Sequence, residues 1–192
     1  MARIGIIIGS TREGRATDRV AQWVHTYMTG KGEHEVELVD LRDFPLPFLN
    51  EASPRFNSER KAEPAVQAWL DKVASFDSYV IVSPEYNRTT SGVLKNAIDL
   101  LDYQMEQKPA ALVAHGSNAG AQAIDGLRSI LPQVGVVVAP NVVYFGARPH
   151  DAISEDGELS AELAANAWGP AGALDKAMTQ LVWLTERLGA TA

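Results

Sequence analysis

Two stretches of this chain are almost wholly apolar rather than apolar at alternate positions: Ile4 to Ile8, closed by Gly9, and Ser78 to Ser83. Strands of that kind are buried on both faces, which suits a parallel sheet with helices packed on either side. The rest of the chain supplies the helices. Val20, Ala21, Val24, Tyr27 and Met28 share one helical face, ahead of Gly30 and Gly32 as stop signals. Glu35 to Leu41 alternates and reads as a half-buried or edge strand, and Phe44-Pro45-Leu46-Pro47-Phe48 opens a long Pro-rich loop. Ala65 to Phe76 reads as a second helix, and Ser91 caps a third that runs through Asp102.

Ala110 to Ala114 is a short fourth strand, and Gln122 to Leu131 a fourth helix ended by Pro132. Val134 to Val138 and Asn141 to Phe145 make a fifth strand interrupted at Ala139-Pro140. Arg148 to Gly157 reads as a polar loop. Ala171 to Leu188 closes the chain as a helix, with Leu174, Met178, Leu181, Leu184 and Leu188 on one face. This alternation predicts a doubly wound α/β fold: a five-stranded parallel sheet, order 2-1-3-4-5, with helices on both faces. All 192 residues are expected in one domain. Ligands of such a fold sit at the carboxyl ends of strands one and three, where the winding direction switches.

Composition narrows the partners. A net charge of −7 disfavours nucleic acid and anionic membrane, so any anionic ligand must meet a local basic cluster. There is no cysteine, which removes disulfides, thiolate catalysis and cysteine metal sites. The first apolar run is too short for a secretory leader or a membrane span, so a cytoplasmic chain is expected. His25, His34 and His150 do not fall at ligand spacing with carboxylates, and no metal is expected. Trp23, Trp69, Trp168 and Trp183 lie on or near predicted helices and read as packing residues.

Three loops hold the chemistry. After strand one, Gly9-Ser10-Thr11-Arg12-Glu13-Gly14-Arg15-Ala16-Thr17 leads straight into a helix. A helix start with free N–H groups favours a phosphate; Ser10, Thr11 and Thr17 add hydroxyls, and Arg12 and Arg15 add charge. The competing motifs fail: there is no G-x-G-x-x-G, and Arg15-Ala16 stands where a P-loop needs Lys-Ser/Thr. The plainer alternative is a tight turn with solvated arginines.

After strand three, Pro84, Glu85, Tyr86 and Asn87 can wall a flat slot, with Gly92 allowing close helix approach. Tyr86 as a packing residue and Asn87 as a turn former are the alternative. After strand four, in His115-Gly116-Ser117-Asn118-Ala119-Gly120, Gly116 and Gly120 let backbone approach a ring, where N–H groups could stabilise negative charge. His115 reads as structural, and no catalytic side chain is named.

Taken together, Gly9-Ser10-Thr11-Arg12 and Pro84-Glu85-Tyr86-Asn87, with Gly92-Val93-Leu94-Lys95-Asn96-Ala97-Ile98-Asp99, resemble the NADPH-dependent FMN reductase family of flavodoxin-like quinone, chromate and azo reductases. The resemblance runs from Arg3 to about Leu188. It implies FMN as cofactor, its phosphate at Ser10, Arg12, Arg15 and Thr17. Its ring would lie against Pro84, Glu85, Tyr86 and Asn87, and against Gly116, Ser117 and Gly120. It also implies a ping-pong reaction in which NADPH (or NADH) donates a hydride and a small-molecule acceptor then takes it. Arg15 or Arg88 could pair with the donor's 2′-phosphate. The expected assembly is a homodimer or homotetramer.

The sequence departs from the family at Arg15, often serine, at Thr17, often asparagine, at Ser91, often proline, and at Ala121, often glycine. Two other classes compete: a flavodoxin-like electron carrier and a flavin-dependent redox sensor, neither with a nicotinamide site.

Overall fold

The computed structural model describes residues 1–52, 54–146 and 148–189. Five strands, β1 (Arg3–Ile8), β2 (Glu35–Asp40), β3 (Ser78–Pro84), β4 (Pro109–His115) and β5 (Val137–Phe145), form one sheet in the order β2-β1-β3-β4-β5. Every pairing is parallel. The fully apolar runs take the inner positions, where both faces are covered: β3 and β4 are buried at every residue, whereas β2 and β5 at the edges are only partly buried.

Helices α1 (Thr17–Lys31) and α7 (Pro170–Gly189) pack on one face, with Val20, Val24, Leu174 and Leu181 against Ile6, Val80 and Val113. Helices α2 (Pro64–Ala74), α3 (Gly92–Asp99) and α4 (Ala121–Ile130) cover the other, with Trp69, Leu94 and Ile124 against Ile7, Ile81 and Leu112. Among the described residues, no helix is long and apolar enough to cross a membrane.

Several boundaries differ from the sequence expectation. Gly30 does not stop α1; Gly32 does, in the left-handed conformation that frees it to cap. The third helix ends at Asp99 rather than Asp102. Residues 131–134 form a 3-10 turn, so the fifth strand starts at Val137, not Val134. That strand then runs through Pro140, with a register shift between Ala110 and Leu112. An edge position tolerates a residue without an N–H, and Arg128 and Gln180 occupy the neighbouring polar groups, donating to Pro140 O (2.6 Å) and accepting from Asn141 N (2.9 Å). The stretch read as a polar loop contains α5 (Pro149–Ala152) and an antiparallel bridge between Ile153 and Leu159; α6 (Ala161–Ala165) follows. Trp23 and Trp69 are buried, but Trp168 and Trp183 are 91% and 53% exposed and pack under lysine and arginine side chains instead.

Candidate functional site

The carboxyl ends of β1, β3 and β4 bring the three loops side by side. Gly9 ends β1 with its N–H on Val82 O (2.8 Å); a Cβ there would lie 2.7 Å from that same carbonyl, so only glycine lets the loop leave the sheet at this point. Ser10 is buried, and its Oγ lies 2.8 Å from the Tyr86 hydroxyl in the second loop. Glu85 donates its N–H to His115 O (2.8 Å), and its Oε2 accepts from Gln122 N (2.9 Å) in the first turn of α4. His115 Nε2 returns to the first loop at Thr17 Oγ1, 2.9 Å away. The three loops are thus joined in a closed circuit of hydrogen bonds.

The second loop is a tight two-residue reversal. Tyr86 and Thr89 exchange N–H···O bonds of 2.9 and 3.1 Å, with Asn87 and Arg88 between them at φ 48° and 68°. Asparagine takes that conformation readily; arginine does so at a cost, which places strain beside the switch point. Ser83 Oγ holds Thr90 Oγ1 at 2.8 Å and closes the loop's base. In the third loop, Gly116 sits where a Cβ would come 2.9 Å from Glu85 Cβ. Gly120 has φ +79°, and a Cβ would lie 2.6 Å from the Ala114 carbonyl carbon. Ser117 is exposed at the loop's crest.

The two arginines of the first loop have separate fates. Arg12 is exposed, its guanidinium 5.1 Å above the Tyr86 ring. Arg15 is buried, with its fork on the Asp40 carboxylate and on Ser10 O. The hydrogen bond to Asp40 raises Arg15 above its ordinary value against the pull of burial. Burial would raise Asp40 as well, but hydrogen bonds from Arg15 and the Arg42 N–H hold its carboxyl below the ordinary range. Burial pushes the His115 imidazole down to about 4, opposed by Asp18 and reinforced by His150. Sequence reasoning missed Asp40 and Arg42. A buried arginine in a loop calls for a counter-charge, but which one depends on strand order.

Around this frame the first loop keeps unused donors. The N–H groups of Thr11, Glu13, Gly14, Arg15 and Ala16 make no hydrogen bond among the described residues. Ala16 gives α1 no side-chain cap. Asp18 in the first turn of α1 supplies one opposing charge.

The family model for NADPH-dependent FMN reductases matches residues 2–150. The chain belongs to that family. It is 32% identical over 187 residues to an NAD(P)H-dependent FMN reductase of a Nectria species, covering 90% of each chain. It is 32% identical over 161 residues to an NADPH azoreductase of a Bacillus species, covering 82% of each. The fold is shared with the flavoenzyme NAD(P)H:(acceptor) oxidoreductase FerB of Paracoccus denitrificans, at a TM-score of 0.72 and 23% identity over 97% of this chain and 98% of that one.

Membership makes the chain an oxidoreductase that works with FMN and a nicotinamide donor. As a member of the FMN reductase family it should offer a cradle for a phosphate, and the run of unpaired amides beside the exposed Arg12 fits that group. The glycines at 116 and 120 let the third loop pack closely on Glu85 and on the end of β4, which holds that loop beside the second one. The hydroxyls of Ser10 and Thr17, expected at the phosphate, each have one protein partner, the Tyr86 hydroxyl and His115 Nε2. Among the described residues, no group of three or more His, Cys, Asp or Glu is placed to hold a metal ion.

Proposed function

We propose that this chain holds one FMN across its three loops and reduces a small acceptor, such as a quinone, free flavin, azo compound or metal oxyanion, with donor and acceptor taking turns in a ping-pong order. Bound FMN supplies the uptake of a hydride from NADPH or NADH and its onward delivery. The chain's own residues bind and shape. Arg12 and the unpaired loop amides receive the phosphate, with the α1 dipole behind them. Ser10, Arg15 and Thr17 keep that loop in place through Tyr86, Asp40 and His115. Pro84, Glu85, Tyr86 and Asn87 wall the ring, and Gly116, Ser117 and Gly120 border it from the loop after β4.

The closed hydrogen-bond circuit joining the three loops is the observation that supports this reading most. The test is anaerobic mixing of FMN-loaded protein with NADPH, following the oxidised flavin band. Fast bleaching, and recovery on adding a quinone, is the expected result. An intact band with FMN bound would replace the reductase with an electron carrier or sensor.

A homodimer or homotetramer in the cytoplasm belongs to the same proposal. Phe48 and Phe56 on the loop after β2 are 83% and 82% exposed, and Tyr103 beyond α3 is 53% exposed. Arg55, the neighbour of Phe56, lies 5.2 Å over the Tyr103 ring, so this part of the loop sits beside Tyr103, and apolar exposure of that kind suits a partner surface. Light scattering coupled to size exclusion tests the assembly; a monomer at micromolar concentration would refute it.

A further inference from the structure

Resting on the reading that FMN binds at these loops, we propose that Arg15 is a positioning residue that does not touch the cofactor's phosphate. Together with Arg42, and anchored by Asp40, it turns the carbonyls of the first loop to one side so that the loop's amides face the anion.

Arg15 is buried, and both ends of its fork are engaged. Nη1 donates to Ser10 O and to Asp40 Oδ1 (2.8 Å), and Nη2 donates to Asp40 Oδ2. Arg42 takes the next two carbonyls, with Nε on Thr11 O (3.3 Å) and Nη2 on Arg12 O. Its own N–H donates to Asp40 Oδ1 at 2.9 Å. Three successive carbonyls therefore point at two guanidinium groups, that of Arg15 paired with Asp40 and that of Arg42 on a residue whose backbone N–H Asp40 accepts. In a trans peptide the C=O and the N–H that follows it point in opposite directions. The N–H groups of Thr11, Arg12 and Glu13 are thereby sent to the other side of the loop. Those of Thr11 and Glu13 have no partner among the described residues, and that of Arg12 makes only a long 3.4 Å contact with Ser10 Oγ.

The arrangement needs a planar fork. A guanidinium can serve a carboxylate and a carbonyl at once in fixed geometry, which a lysine ammonium cannot reproduce. It also needs Asp40 in place, and parallel pairing provides this: Asp40 is the register partner of Ile8, the last residue of β1.

Direct contact and positioning give opposite signs for Asp40→Asn. That substitution removes a negative charge beside the anion site and releases Arg15. If Arg15 were a phosphate ligand, FMN would bind as well or better. If Arg15 positions the loop, FMN affinity falls about tenfold, as expected when a charge-assisted pair is lost. Arg15→Lys keeps the charge but not the fork, and is expected to lose FMN affinity by about the same factor.

The measurement is equilibrium titration of FMN and of riboflavin, by flavin fluorescence, on wild type, Asp40→Asn and Arg15→Lys. Riboflavin has the ring and no phosphate. Its affinity should stay within about twofold of wild type in both variants, a difference of a few tenths of a kcal/mol. An unchanged or improved FMN affinity in either variant would overturn the proposal. So would an equal loss of riboflavin, because the pair would then serve the fold as a whole. Wild-type protein that bound neither flavin would overturn the FMN reading itself, a different result from either of these.

Discussion

His115 Nε2 and Thr17 Oγ1 lie 2.9 Å apart in the buried interior, although 98 residues separate them in the chain. The contact joins the end of β4 to the start of α1, and burial there favours the neutral imidazole. Burial lowers the folded-state value of His115 from 6.5 to about 4. The unfolded chain therefore binds more protons than the folded one between those limits, and stability rises with pH across that window. The contribution is complete above pH about 6.5 and is lost as pH falls toward 4. The wild type should lose roughly 2–3 kcal/mol more than His115→Gln between pH 7 and pH 4, at about 1.4 kcal/mol per unit. Urea unfolding of both proteins at the two pH values reads this difference, and parallel losses would refute it.

Gly120→Ala should be strongly destabilising. The position has φ +79°, and the new methyl would fall 2.6 Å from the Ala114 carbonyl carbon and the His115 nitrogen, backbone atoms that cannot yield separately. Left-handed strain alone costs about 1–2 kcal/mol, and the clash adds to it. A denaturation midpoint within error of wild type would show that the third loop can shift.

Glu85 caps α4 from a distance. Gly120 at the helix N-terminus has no side chain to do so, and Glu85 Oε2 accepts from Gln122 N at 2.9 Å. Glu85→Ala should cost about 1 kcal/mol, the ordinary worth of a cap with a charge at the dipole's positive end. Glu85→Gln keeps an acceptor and should cost less. Amide exchange at Gln122 should accelerate in the alanine variant and much less in the glutamine variant.

Arg12→Ala should separate binding from stability. The side chain is exposed and sits over Tyr86, so its removal should leave the thermal midpoint nearly unchanged. FMN affinity should fall about tenfold with riboflavin unaffected, and the salt dependence of FMN binding should weaken. An unaltered FMN affinity would move the phosphate away from this residue.

Much of the fold was legible because strand burial is a local signal. Ile4 to Ile8 and Ser78 to Ser83 are apolar at nearly every position, and inner strands are what such runs become. The fifth strand was harder. Val134 continued the apolar run but was drawn into a turn stopped by Gly135 in the left-handed conformation, and Pro140 interrupted a pattern that the sheet edge tolerates. Trp168 and Trp183 resembled core residues by type alone; Trp168 lies ahead of α7, and Trp183 is on α7 away from the buried face of Leu174, Met178 and Leu181.

The sequence by itself determined the order of strands and helices, hence the switch point and the three loops that meet there, because hydrophobic periodicity and glycine placement act within a few residues. Tertiary structure alone decided which polar groups in those loops face outward. Arg12 and Arg15 are indistinguishable by type and lie three positions apart, yet one stands over Tyr86 in solvent and the other is buried against Asp40. That difference exists because β2 lies beside β1 in register and brings a carboxylate from 25 residues away to the mouth of the loop. A charge is buried only where its partner is already waiting, and that partner is set by the sheet, not by the neighbouring sequence.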